Sequence, residues 1–133
     1  MSSDCNAKKI LIIEDDSDIS GPLSRVLSSH GYATCHAADG DEGVRLAEAE
    51  KPDLILLDFF LPGKNGFEVY REIRNNSETA YVPIVALTAF GQDIGELHGL
   101  PNDGQAPEFA DRLEKPFEFN VLLNRLEKIF GPA

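Results

Sequence analysis

Three apolar runs in this chain each end on a side chain capable of chemistry, and no other feature limits the fold as strongly. Ile10-Leu11-Ile12-Ile13 runs into Glu14-Asp15-Asp16, Leu54-Ile55-Leu56-Leu57 into Asp58, and Ile84-Val85-Ala86-Leu87 into Thr88. Unbroken aliphatic runs of this length read as strands buried on both faces, because a half-exposed strand would alternate apolar with polar residues. Burial on both faces requires helices to cover the sheet.

The intervening sequence supplies them. Ile19, Leu23, Val26, Leu27 and His30 recur at helical spacing, and Gly31 is a stop signal. Gly21-Pro22 disturbs the first turns, so a late start or a kink is expected there. Residues 32–37 read as a second short strand. Asp39-Gly40 then turns the chain into a helix over 41–50, ended by Pro52-Asp53. The stretch Leu61-Pro62-Gly63-Lys64-Asn65-Gly66 is a loop, followed by a helix over about 67–74. The fourth strand, 82–87, tolerates Pro83 near its beginning. Between 90 and 107 stand four glycines and two prolines, so a helix there is short, around 94–100. A brief strand at Arg112-Leu113-Glu114 precedes Lys115-Pro116. Phe119, Leu122, Leu123, Leu126, Ile129 and Phe130 share one face of a last helix.

Strand and helix thus alternate five times, which specifies an α/β fold: a parallel sheet with helices on both faces, joined by right-handed crossovers. In open sheets of this kind the ligand site lies beyond the carboxyl ends of the strands. That rule gathers Glu14, Asp15, Asp58, Thr88 and Lys115 at one edge. Two carboxylates about 5 Å apart at an effective dielectric near 20 repel by roughly 3 kcal/mol, so three require a cation among them. Mg²⁺ suits such a site, because it accepts one or two carboxylates and keeps waters and phosphate oxygens as its remaining ligands.

The whole chain narrows the function classes. With 23 acidic and 12 basic residues the net charge is −11, which argues against unaided binding to nucleic acid. No apolar stretch is long enough to span a bilayer, and MSSDCNAKK lacks a signal-peptide core, so no membrane insertion is expected. Two cysteines, Cys5 and Cys35, make no disulfide framework and point to a reducing, cytoplasmic setting. Cys35 and His36, adjacent on a strand, face opposite ways and make a poor metal pair. His30, His36 and His98 read as structural or exposed. Residues 1–7 read as a flexible extension and 8–133 as a single domain.

Four segments in order, ILIIEDD, LILLDFFLPGKNGFEV, ALTA and EKPF, resemble the receiver domain of bacterial two-component response regulators, of the chemotaxis type. The resemblance covers about 8–130. It implies a flavodoxin-like fold, a five-stranded parallel sheet in order 2-1-3-4-5, here with a short or irregular fourth helix. It implies that Asp58 accepts a phosphoryl group from a sensor histidine kinase or a histidine phosphotransfer protein. Asp15, Asp58 and the backbone carbonyl of Phe60 would then ligate Mg²⁺, with Glu14 acting mainly through a bound water. Mn²⁺ or Ca²⁺ could substitute. Lys115 would contact the acids and the phosphoryl oxygens, and Thr88 would bond the new group and draw its loop inward. The chain would then be a signalling switch rather than an enzyme, catalysing only its own phosphorylation and dephosphorylation and acting on a downstream protein not specified by the sequence.

Two departures from the family pattern, and one further pair of residues, bear on output. Arg112 stands where the family commonly has Tyr or Phe, three residues before the lysine, so a ring-burial switch is not expected. The glycine-rich segment after Thr88 replaces a regular amphipathic helix, and its order is expected to change on phosphorylation. The resemblance implies that Phe60 and Phe90 flank the path of the hydrolytic water, which predicts slow self-dephosphorylation. The alternative is a pseudo-receiver that binds partners without phosphorylation, against which the retention of all five pocket residues argues. A haloacid-dehalogenase-type phosphatase would need a second Asp where Phe60 stands, and a nucleotide site would need a glycine-rich loop after the first strand.

Overall fold

The computed structural model describes residues 7–59, 61, 66–89, 109–115 and 117–130. Among these, β1 (Lys9–Ile13), α1 (Ser17–Ser29), β2 (Ala33–Ala37), α2 (Gly40–Glu50), β3 (Leu54–Asp58), α3 (Gly66–Asn75), β4 (Ile84–Ala89), β5 (Asp111–Lys115) and α4 (Phe119–Phe130) follow in order. The five strands form one sheet, β2-β1-β3-β4-β5, with every neighbouring pair parallel. This is the flavodoxin-like arrangement that the family resemblance implies. The short helix expected around 94–100 lies outside the described residues. Among the described residues no helix is long and apolar enough to cross a membrane.

Alternation along each strand divides the core into two layers. Leu11, Ile13, Ile55 and Leu57 pack with Ala47 of α2 and with Phe67, Val69 and Ile73 of α3. Ile10, Ile12, Leu54 and Leu56 face the other way, onto Leu23 and Leu27 of α1 and Leu122 and Leu126 of α4. β1 and β3 are therefore apolar on both sides because both sides are covered. Burying each of their leucines and isoleucines contributes about 1.5–3 kcal/mol.

The element boundaries depart from the sequence reading for local reasons. α1 begins at Ser17, well before Gly21-Pro22, because the Asp16 side chain accepts the Asp18 N–H at 2.9 Å and caps the helix. The late start is thus corrected. The helix continues through Pro22, whose missing N–H would have served the carbonyl of exposed Asp18, where water can take its place. At the other end, Tyr32 N–H reaches the Leu27 carbonyl and Gly31 N–H the Ser28 carbonyl, with Gly31 at φ +92°. This paired closure needs a left-handed residue, which glycine adopts freely. β4 starts at Ile84 rather than 82. Pro83 cannot donate to the ladder, although its carbonyl still accepts from Ile55 N–H at 2.9 Å.

α2 sits close on the sheet at Gly43. A Cβ there would lie 2.6 Å from Ile13 Cδ1 and 3.0 Å from both Ile13 Cγ1 and Cγ2. Helix propensity alone favours alanine by about 1 kcal/mol. Overpacking against a β-branched side chain costs about 1–3 kcal/mol and prevails, since rotating Ile13 exchanges one clash for another. Gly43→Ala is expected to lower the denaturation midpoint. Gly43→Ala combined with Ile13→Val should be more stable than the two single changes sum to, and strict additivity would refute the contact.

Candidate phosphoacceptor and metal site

Parallel pairing in register places the site residues. Ile13 on β1 lies opposite Leu57 on β3, so the residues that follow, Glu14 and Asp58, meet across a gap of about 5 Å. On the other side of β3, Asp58 pairs with Leu87, which puts Thr88 one step further along β4. Ala89 pairs with Lys115 on β5. Asp58 and Lys115 thus belong to the ladder itself rather than to the loops beyond it, and their backbones are held by neighbouring strands.

Glu14, Asp15 and Asp58 each present a carboxylate oxygen, and these oxygens all lie within 4.8 Å of one another. Glu14 and Asp58 are buried, at 0% and 2% exposure, while Asp15 is exposed. Lys115 Nζ donates to Glu14 Oε1 at 2.5 Å and stands 3.3 Å from Asp58 Oδ2. One ammonium therefore spans two buried carboxylates.

Burial and the attraction of opposite charges act on the cluster in opposite directions. Burial pushes the Glu14 carboxyl up to about 7, and Asp58 pushes the same way through a hydrogen bond and its charge, against the opposing pull of Lys115. For Lys115, burial disfavours the charged ammonium. The hydrogen bond to Glu14 and the charges of Asp58 and Glu14 outweigh it, so the lysine stays protonated above its ordinary range. The donor set consists of hard carboxylate oxygens, with Asp15 open to solvent on one side. Such a set fits a small divalent cation that retains waters, and Mg²⁺ meets that description.

Of the residues anticipated from sequence, Glu14, Asp15, Asp58 and Lys115 come together in one pocket. Thr88 is buried beside them, but its hydroxyl donates to the Leu113 carbonyl on β5 at 3.4 Å. Phe60, Phe90 and Pro116 lie outside the described residues, as does most of the segment after Thr88. Arg112 is exposed on β5, and its backbone N–H donates to Asp111, whose carboxylate also takes Arg125 from α4.

One residue near the site carries no role in the sequence reading. His36, exposed on β2, places Nε2 at 2.8 Å from the backbone carbonyl of Glu14. A carbonyl can only accept, so Nε2 carries the hydrogen. The signal that could have found it is the implied strand order, which sets β2 beside β1 and His36 opposite Ile12.

Comparison with known proteins agrees with this geometry. The family model for the response regulator receiver domain matches residues 10–127. The protein PilH of Pseudomonas aeruginosa is 31% identical over 123 residues, which cover 92% of this chain and 98% of PilH. The DNA-binding dual master transcriptional regulator RpaA of Synechocystis is 38% identical over 121 residues, or 91% of this chain but 48% of RpaA. Among solved structures, the receiver domain of the sensor histidine kinase PA1611 from Pseudomonas aeruginosa matches with a TM-score of 0.77 and 33% identity. That match covers 95% of this chain and 99% of the other, and its structure has a magnesium ion coordinated in the active site cleft. With the fold, the strand-end acids and these matches in agreement, the chain belongs to the response regulator receiver domain family, the signalling switches of two-component systems.

Proposed function

We propose that Asp58 is the phosphoacceptor of this receiver and takes its phosphoryl group from a sensor histidine kinase or a histidine phosphotransfer protein. The observation that carries this reading is the setting of Asp58: a carboxylate 2% exposed, clustered with two other acids and 3.3 Å from the Lys115 ammonium. An Asp58 oxygen attacks phosphorus, an O–P bond forms as the donor's N–P bond breaks, and the departing imidazole nitrogen keeps the electron pair. Such a transfer needs in-line placement and neutralised oxygens more than covalent help from the protein. Asp15 and Asp58 would hold Mg²⁺, together with the carbonyl of Phe60, a residue outside the described ones, and Glu14 would act mainly through a bound water. The bound metal supplies positive charge to the transferring oxygens.

The chain's own residues do the rest. Lys115 is already poised between Glu14 and Asp58 and shifts its contact toward the phosphoryl oxygens as negative charge accumulates there. Thr88 exchanges the Leu113 carbonyl for a phosphoryl oxygen. The bond it gives up is long and therefore weak, and giving it up frees a carbonyl of β5. Phosphorylation is thereby communicated to β5, where a downstream protein reads it. Phe60 and Phe90, which lie outside the described residues, are expected to slow hydrolysis of the acyl phosphate. The setting is cytoplasmic, where such kinases present their phosphohistidine.

Asp58→Asn is expected to abolish labelling by acetyl phosphate or by a cognate kinase while preserving the fold. Labelling at the wild-type level would sink the assignment.

The raised Glu14 pKa also fixes a pH dependence. A carboxyl that titrates near 7 in the folded chain and near 4.5 when unfolded adds stability that is complete below about pH 4.5. That contribution is lost as pH rises through about 7. Lys115, raised above 10.5, adds a constant contribution across this window. The metal-free protein should therefore lose stability, on the order of a few kcal/mol, between about pH 5 and 7.5, and Glu14→Gln should lose less. Mg²⁺, which favours the ionised carboxylates, should protect more at the upper end of that range. Equal slopes for the wild type and the glutamine variant in thermal melts would contradict the assignment of the raised group.

A further inference from the structure

We propose that His36 is a positioning residue for the metal-binding acids, fixing the peptide unit that carries Asp15. The inference rests on the metal site proposed above and concerns how that site is held in shape before a cation arrives.

The three carboxylates are supported unequally. Asp58 lies in the β3 ladder and beside Lys115. Glu14 takes Lys115 on one oxygen and the Asp16 N–H, at 3.3 Å, on the other. Asp15 is exposed, and its carboxylate has no hydrogen bond or ion pair among the described residues. Among the described residues, only its backbone holds it in position.

That backbone is pinned from β2. Glu14 N–H donates to the Ala37 carbonyl at 3.0 Å, continuing the strand pairing one residue past the end of β1. The Glu14 carbonyl has left the ladder, and the partner it finds is His36 Nε2 at 2.8 Å. Because the peptide is planar, fixing that oxygen also fixes the nitrogen and Cα of Asp15. Without the imidazole, the oxygen would turn to solvent and the Glu14–Asp15 peptide could rotate, letting the Asp15 carboxylate swing out of the cluster. His36 holds the bond as a neutral Nε2–H tautomer or as an imidazolium, so the role does not depend on its titration. Support of a ligand from the shell behind it is a general means of tuning metal affinity.

The test measures Mg²⁺ affinity of the full chain by titration calorimetry at about pH 8, together with the metal-free melting temperature. His36→Phe keeps a ring on an exposed strand position but removes the donor, and His36→Gln keeps an N–H donor. The expected result is an affinity about three- to tenfold weaker for the phenylalanine variant, recovery in the glutamine variant, and similar metal-free melting for all three proteins. Wild-type affinity in His36→Phe, or no recovery in His36→Gln, overturns the role of His36. So does a loss of affinity that merely tracks a lower metal-free melting temperature. If the wild type itself takes up no Mg²⁺, the metal site proposed above falls, and this inference with it.

Discussion

Two acids at the ends of adjacent parallel strands repel one another, and the surrounding architecture accommodates that repulsion. Parallel strands in register cannot avoid setting Glu14 against Asp58 once each closes its apolar run. The ladder forces the carboxylates together, and burial removes the water that would screen them. What offsets the cost is the Lys115 ammonium, delivered by β5 from beyond the intervening strand β4. Burial and the neighbouring Asp58 still hold the Glu14 carboxyl above its ordinary range, against the pull of Lys115. The three carboxylate oxygens, within 4.8 Å of one another, make a donor set whose chemistry fits a divalent cation.

The hydrophobic layers serve this arrangement. Because Leu54, Leu56, Ile55 and Leu57 divide between the two faces of β3, the strand is gripped from both sides up to the residue before Asp58. Gly43 lets α2 approach Ile13 directly behind the first acid. Asp16 joins the two kinds of structure, since it continues the acidic run and also caps α1. Packing behind holds Glu14 and Asp58 close and buried, while Asp15 meets solvent.

Much of this was legible in the sequence because the strongest signals are local. Aliphatic runs that end on acids identify buried strands and the edge at which chemistry collects. Where the sequence reading fell short, the missing information was a contact rather than a propensity. Apolar periodicity began α1 near Ile19 and could not register Asp16, whose effect is a polar bond to a backbone N–H. The hydroxyl of Thr88 reads as a site group, but its acceptor on Leu113 is visible only once β4 and β5 are paired. His36 was passed over for the same reason, as its partner is a backbone carbonyl 22 residues away. The ring-switch position is the converse case: Arg112 is legible as a departure, and its exposure on β5 agrees with that reading.

The bond between Lys115 and Glu14 joins positions 101 residues apart. During synthesis the acids leave the ribosome long before the lysine, and until β5 docks they remain mutually repelling groups without their counter-ion. Proteins built in this order acquire their chemistry with the last strand. A chain that stops short of β5 lacks the ammonium that spans Glu14 and Asp58, so this part of the site is complete only when the two ends of the sequence meet.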